Sequence, residues 1–384
     1  MQKLSPFVFG NLVNLQSFTN RENELKRLKN NLINGINTII ISPRRWGKSS
    51  LVEKTIMDIN ITDPDYKTVK IDLFSVNSEQ EFLEKFAREV IKASSAKWEE
   101  WLKESKDIFK KLIPKFSIGI QPDSDFSISF DWEELKKYSD EILNLPEILA
   151  TKKQVKFIIC IDEFQNLAHF PNFEAVEKNM RAVWQKQKNV VYCLYGSKRD
   201  MMTNIFDNSS KPFYRFGDLL LLSKIKKEKW ESFIVENFEK TNRRISQTFA
   251  GRITDLMKCH SWYVQQFSYY VWSETQNEVT DSIFCDALER LVQSNVPLFQ
   301  NKIEEFSTGQ INLLKAIAKN EKQLSSKETL KRYHLGTSAG VNKNKNTLLQ
   351  KDIISEERGI IEFLDPVFEL WFRKLYFDED YLKH

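Results

Sequence analysis

At 384 residues the chain is long for a single core and points to two or three domains. Hydrophobic residues make up 41% and charged residues 29%, with 28 Phe and 9 Trp, which excludes a disordered or fibrous polypeptide. A net charge of only +4 excludes a uniformly basic nucleic-acid binder, so any such role rests on local charge.

Residues 5 to 37 open irregularly as SPFVFGNLVNLQSF. A helix follows that Thr19 or Asn20 can cap, with Leu25, Leu28, Leu32 and Ile33 on one face. Pro6 and Gly10 interrupt the first residues too early for a signal-peptide core. The stretch 38 to 51, TIIISPRRWGKSSL, organises what comes next. Thr38, Ile39, Ile40 and Ile41 are uncharged and β-branched and predict a buried parallel strand. That strand breaks at Ser42-Pro43, runs through Arg44-Arg45-Trp46-Gly47 and opens a helix at Lys48-Ser49-Ser50. Strand, loop, GK[ST] and helix make the P-loop arrangement. Its backbone N–H groups and helix N-terminus cradle phosphates, its lysine reaches the β/γ oxygens and its hydroxyl holds Mg²⁺. Ser42 stands where the GxxxxGK[ST] pattern has its first glycine.

After the P-loop helix, YKTVKIDLF at 66 to 74 predicts a second strand. A helix from about Ser78 then carries Phe82, Phe86 and Val90 on one face. Residues 113 to 132 alternate apolar and polar around Gln121-Pro122-Asp123-Ser124, which predicts a hairpin inserted into the core, and a helix from Trp132 to Leu149 leads back. In VKFIICIDEFQNL, at 155 to 167, an apolar run ends in Asp162-Glu163. Two carboxylates then sit at the C-terminal tip of a parallel strand, where open α/β sheets bind ligands. In a P-loop protein the first acid holds the Mg²⁺ shell and the second polarises the attacking water. A helix around 173 to 188, the strand VVYCLYGS ending at Ser197, the helix KRDMMTNIF, the loop KPFYRFG and the strand DLLLLS at 218 to 223 complete five strands alternating with helices. The fold class expected is α/β, a doubly wound parallel sheet ending near residue 223.

From 224 to about 305 the pattern turns helical: Trp230, Phe233, Ile234 and Phe238 share one face, and MKCHSWYVQQFSYYVW at 257 to 272 predicts an aromatic-rich helix. Residues 306 to 384 read as three helices and a small hairpin, the composition of a winged helix. Charge divides inside it, with nine Lys/Arg against two acids over 315 to 351 and four against nine over 352 to 384. A basic helix face of this kind suits DNA or an acidic protein, and also occurs as a plain solvated surface. The four cysteines, Cys160, Cys193, Cys259 and Cys285, are far apart with no CxxC pair, which reads as core filling in a reducing compartment. No apolar run is long enough to span a bilayer, and a cytoplasmic protein is expected.

Seven segments in this order resemble the archaeal-type ATPases of the AAA+/STAND P-loop NTPases, in a Bacteroidetes-like form: FTNRENEL, SPRRWGKSSL, FIICIDEFQNL, VVYCLYGSKRDMM, KPFYRFG, CHSWYVQQ and LDPVFELWFRK. The resemblance covers nearly the whole chain. It implies an AAA+/STAND core over 1 to 223, a helical lid over 224 to 305 and a winged helix over 306 to 384. Under it Asn20 and Arg21 approach the adenine, and Pro43, Arg44, Arg45, Trp46, Gly47, Lys48, Ser49 and Ser50 form the nucleotide loop. Lys48 contacts the β/γ-phosphates, Ser49 and Asp162 take Mg²⁺, and Glu163 polarises water. Ser197 takes the sensor position, and Arg215 matches the position of an arginine finger that acts across a subunit interface, the alternative being a surface or intramolecular salt bridge. The lid segment Cys259-His260-Ser261-Trp262 lacks the Gly and Pro common in the family, and a His260 satisfied within the lid is expected.

The implied function is an ATP-binding, slowly hydrolysing switch whose winged helix binds DNA or protein. Lys327, Lys331, Arg332, Lys343, Lys345 and Lys351 form its basic face. The alternative is a nucleotide-bound DNA regulator or a protein-interaction scaffold with little or no hydrolysis. Self-assembly is a further implied possibility.

Overall fold

Strand β1 (Thr38–Ile41) lies between two parallel neighbours, β6 (Val190–Gly196) and β7 (Asp218–Leu221), with Ile41 opposite both Gly196 and Leu221. Beyond β6 come β5 (Lys156–Asp162) and, at the edge, β2 (Tyr66–Asp72), so the sheet order is β2-β5-β6-β1-β7. This computed structural model describes residues 4–10, 21–94, 116–120, 126–130, 138–357 and 359–382. They fall into two units, residues 20–223 and residues 1–19 with 224–384.

In the first unit the central strands β1, β5 and β6 are buried on both faces, which is why they read as continuous apolar runs, whereas the edge strands β2 and β7 are partly exposed. Ile39, Ile41, Val69, Ile71, Phe157, Ile159, Ile161, Tyr192 and Leu194 join one core cluster with Phe82, Phe86, Met180 and Trp184. The alternate positions Ile40, Ile158, Cys160, Val191 and Cys193 are buried too, and the two-residue period turns them to the opposite face. Helix α1 (Glu22–Ile33), α2 (Lys48–Thr62) and α3 (Glu79–Ser94) form where expected. The inserted hairpin is present as β3 (Phe116–Ile120) against β4 (Phe126–Phe130), with Ile118 opposite Ile128; its expected tip, Gln121 to Ser124, lies outside the described residues.

The single helix expected over Trp132–Leu149 is instead two, α4 (Ser139–Leu143) and α5 (Leu145–Lys153), while residues 132–137 lie outside the described residues. Pro146 explains the division. Inside a continuous helix it would remove a backbone hydrogen bond, but at the start of a new one its missing N–H costs nothing. After β5 a 3₁₀ turn (Phe164–His169) leads to α6 (Phe173–Trp184), and α7 (Arg199–Phe206) follows β6.

The second unit is helical from α8 (Lys227–Lys240) through α9 (Gln247–Leu256), α10 (Ser261–Glu274), α11 (Asp281–Gln293) and α12 (Val296–Glu304). The aromatic helix expected from 257 starts only at Ser261, because Lys258 and Cys259 adopt left-handed backbone (φ 48° and 55°) and turn the chain first. Then come α13 (Thr308–Ala318), α14 (Lys327–Arg332), α15 (Ser338–Gln350), the antiparallel pair β8 (Ile354–Glu357) and β9 (Ile360–Phe363), and α16 (Pro366–Phe377). Hydroxyl caps fix the starts of the three winged-helix helices: Ser307 (with Gln310 completing a capping box), Ser326 and Thr337.

One core runs through α8 to α16, with Phe299 of α12 centred 5.3 Å from Phe368 of α16. Phe7 packs into this core at 5.7 Å from Phe238, so residues 4–10 go with the helical unit, whereas the resemblance implies a core running from residue 1 to 223. All four cysteines are free; Cys160 and Cys193 are buried in the sheet and Cys259 and Cys285 are half-buried. No helix among the described residues is long and apolar enough to cross a membrane.

Candidate active site

Three strand tips deliver the site. The loop after β1 turns into α2 through Arg45 (φ 64°) and Gly47 (φ 92°), the two loop positions in left-handed backbone. Gly47 adopts this without strain, whereas Arg45 stores some, about 1 kcal/mol or more for a non-glycine residue. Ser42 does not have positive φ, so the glycine it replaces is not needed there for backbone freedom; it is 1% exposed and its N–H donates to the Gly196 carbonyl at 3.4 Å. Arg21, buried at 3% exposure, braces the loop from α1's N-terminal side. Its guanidinium donates to the carbonyls of Trp46 (3.0 Å) and Ser223 (2.8 Å) and to Glu24 (3.0 Å).

Lys48, first residue of α2, faces the tip of β5. Its Nζ is 3.6 Å from Glu163 Oε1 and 4.0 Å from Asp162 Oδ1. The Ser49 hydroxyl donates to Asp162 Oδ2 at 3.0 Å. Glu163 leaves the strand with φ 51°, its own N–H donating to Asp162 Oδ1 at 2.8 Å. Its Oε2 accepts from the Ser197 hydroxyl at 2.8 Å and from the Gln165 side-chain amide. Arg44 Nε reaches the Ser197 oxygen at 3.5 Å. Because β6 lies between β1 and β5, Ser197 at its tip falls between the loop and the acids.

Burial pushes the Asp162 carboxyl above its ordinary pKa, against the pull of Lys48. Glu163 feels the same burial, but Lys48, the hydrogen bonds from Gln165 and Ser197, and Arg44 together outweigh it and hold its pKa below the usual value. The two neighbours are thus driven apart, with Glu163 kept as an anion.

No group of three or more His, Cys, Asp or Glu able to hold a metal occurs among the described residues. Mg²⁺ needs no such cage: it keeps waters and takes one or two protein oxygens plus phosphates. Ser49 Oγ and Asp162 Oδ2, 3.0 Å apart, match the roughly 2.9 Å edge of an octahedron with ~2.05 Å metal–oxygen bonds, so the pair fits that ion.

Sequence reasoning named Lys48, Ser49, Asp162, Glu163, Ser197 and Arg44, and the structure brings them together. Arg45 is exposed, Trp46 and Ser50 are buried in the loop, and Pro43 is half-buried. Arg21 is engaged by backbone carbonyls behind the loop, and Asn20 lies outside the described residues. Arg215 (φ 53°) is exposed with its guanidinium 5.2 Å from the Tyr214 ring, outside the network. His260 is buried, its ring centred 5.0 Å from that of Tyr263. Sequence reasoning missed Gln165, whose signal is its place two residues beyond Glu163 in DEFQ.

On the winged helix, Arg332 pairs with Glu321 (2.8 Å) and Glu328 (2.5 Å), Lys345 with Glu356 (3.1 Å) and Lys351 with Glu305 (3.0 Å). Lys327, Lys331 and Lys343 make no ion pair among the described residues.

The sequence model of one family, described as "Probable winged helix domain", matches residues 297–374. No curated protein sequence matches the chain. Among solved structures, the Walker-type ATPase of Pyrococcus abyssi superposes with a TM-score of 0.67 at 18% identity, covering 96% of this chain and 99% of that one. The ORC2 protein of Aeropyrum pernix, solved as ADPNP–ADP complexes, gives 0.57 at 12% identity, covering 94% of each chain. The ORC1 protein of the same organism, solved with DNA, gives 0.50 at 11% identity, covering 93% of each. The fold is therefore the one shared by these archaeal structures, with a winged helix at the C-terminal end, as the resemblance drawn from sequence leads one to expect.

Proposed function

We propose that the chain is an ATPase that binds Mg²⁺–ATP at the loop 42–50 and hydrolyses it slowly, acting as a nucleotide-controlled switch in the manner of STAND proteins. The observation that carries this reading is the position of Lys48 Nζ between Asp162 and Glu163, with the second oxygen of Glu163 already held by Ser197. Nucleotide phosphates offer Lys48 a stronger anion than two shared carboxylates. Its transfer to them frees Glu163 Oε1 to take a proton-bearing water in line with the γ-phosphate. The Ser197 hydroxyl and the Arg44 guanidinium are the further donors at that point. Ser49 and Asp162 would hold Mg²⁺, which would neutralise charge on the bound phosphates. Arg215, facing solvent, suits a finger presented to a second copy of the chain. In this reading the lid spans 224–305 and the winged helix 306–384.

Calorimetric ATP titration and phosphate release, with wild type beside Lys48→Ala, test it. The reading predicts binding and slow turnover in wild type and loss of binding in the variant; wild type that binds no ATP contradicts it.

A second reading, a nucleotide-bound scaffold for a protein partner, is favoured by one observation. Arg332, Lys345 and Lys351 are already matched by acids of their own unit, which leaves three of the six expected DNA-facing cations without an ion pair among the described residues.

A further inference from the structure

The Gln165 side chain is 1% exposed and lies in the 3₁₀ turn that follows Glu163. Its amide must present the NH₂ end to Glu163, because a carboxylate only accepts hydrogen bonds. That leaves Gln165 Oε1 on the other side of the amide, buried and without a hydrogen-bond partner. A buried acceptor left unsatisfied is unfavourable, and it persists here because the opposite end of the same group is committed. The amide fits only because residue 196 lacks a side chain: a Cβ there would stand 1.9 Å from Gln165 Oε1 and 2.8 Å from Met202 Sδ. Gly196 has no positive φ to explain it, so what it provides is room for Gln165.

We propose that Gln165, seated against the bare backbone of Gly196, is the positioning residue of Glu163. With Ser197 it fixes Oε2, so that the free oxygen, Oε1, is the one turned toward Lys48 and the phosphate loop. Two donors on one oxygen set the plane of the carboxylate; one donor alone leaves it free to rotate. The proposal rests on the ATPase reading above and deepens it, by assigning the alignment of the water-polarising group to a residue that touches neither nucleotide nor metal.

The test is a cycle of Gln165→Met, Gly196→Ala and the double variant in the full-length chain. Affinity for a non-hydrolysable ATP analogue is measured together with steady-state turnover. Gln165→Met keeps volume and removes the donor, while Gly196→Ala keeps the donor and evicts it. Each single variant is expected to lower kcat by about 10- to 100-fold, the usual cost of a misplaced catalytic group, with the analogue's Kd within about two-fold of wild type. The double variant is expected to fall no further than the worse single one, since both changes break the same contact. A merely structural role would weaken analogue binding along with turnover and would make the losses add, and either result overturns the proposal. Wild-type turnover that Glu163→Gln abolishes and Gln165→Met leaves unchanged overturns the proposal alone. Absence of wild-type turnover overturns it together with the ATPase reading.

Discussion

Lys48 stands 3.6 Å from Glu163 with its side chain 8% exposed, whereas Arg332 stands 2.8 Å from Glu321 with its side chain 52% exposed. The longer contact is the more consequential one. Unit charges about 4 Å apart interact by about 1 kcal/mol in bulk water and about 4 kcal/mol at the effective dielectric of a protein site, and salt screens only the exposed kind strongly. The strand-tip cluster therefore holds charge in a fixed geometry suited to chemistry. The winged-helix surface holds charge loosely, where partners can be exchanged. Under the proposed function, the first region would carry the reaction and the second an association.

Removing the central cation should separate the two regions most clearly. Lys48→Ala leaves two carboxylates facing each other and no group for the β/γ oxygens. ATP affinity is expected to fall by about two orders of magnitude or more, equivalent to roughly 3 kcal/mol, as read by calorimetry. Neutralising an acid in the same cluster should act in the opposite direction on stability. The Asp162 pKa is raised by burial, so the folded protein binds that proton more tightly than the unfolded chain does. Its contribution to stability is present below the ordinary carboxylate pKa and is lost as pH rises through the folded value. Asp162→Asn should therefore stabilise the nucleotide-free protein near pH 7, by about 0.5–2 kcal/mol, and this gain should vanish as pH falls below ~3.9. Paired thermal melts across that range check it; a gain that grows toward acid would contradict the assignment.

The surface region predicts smaller, salt-sensitive effects. If only Lys327, Lys331 and Lys343 meet phosphates, the plot of log K against log salt for duplex DNA should have a slope of about −2.7, against about −5.4 for six contacts. Reversing those three lysines should abolish the binding that remains. Failure to bind DNA at low salt would favour the protein partner. Arg332→Ala should leave the melting midpoint unchanged, as expected of an exposed pair.

Where burial on both faces dictates an unbroken apolar run, the amino-acid sequence alone makes the fold legible. Ile39 to Ile41, Phe157 to Ile161 and Val190 to Tyr195 read as central strands, and GKS after the first, with DE after the second, puts Lys48, Ser49 and the two acids at strand tips. Breaks set by single backbone angles are not legible: Lys258 and Cys259 carry no Gly or Pro to announce their left-handed turn. The division at Asn144 has a signal in Pro146, hidden by the apolar residues on either side. Gln165 escapes sequence reasoning for another reason. Its partner Gly196 is thirty-one positions away in sequence, and only the β5–β6 register brings the two side by side. Arg21 is assigned to the adenine only by the family resemblance, and the structure places its guanidinium on the Trp46 and Ser223 carbonyls.

The central claim is that Glu163 is an anion held ready to polarise water, and single-turnover phosphate release from Mg²⁺–ATP by wild type and Glu163→Gln tests it most directly. Glutamine preserves the shape and removes the charge. The variant is expected to bind ATP at least as tightly as wild type and to release no phosphate above background. Phosphate release at the wild-type rate would contradict the claim.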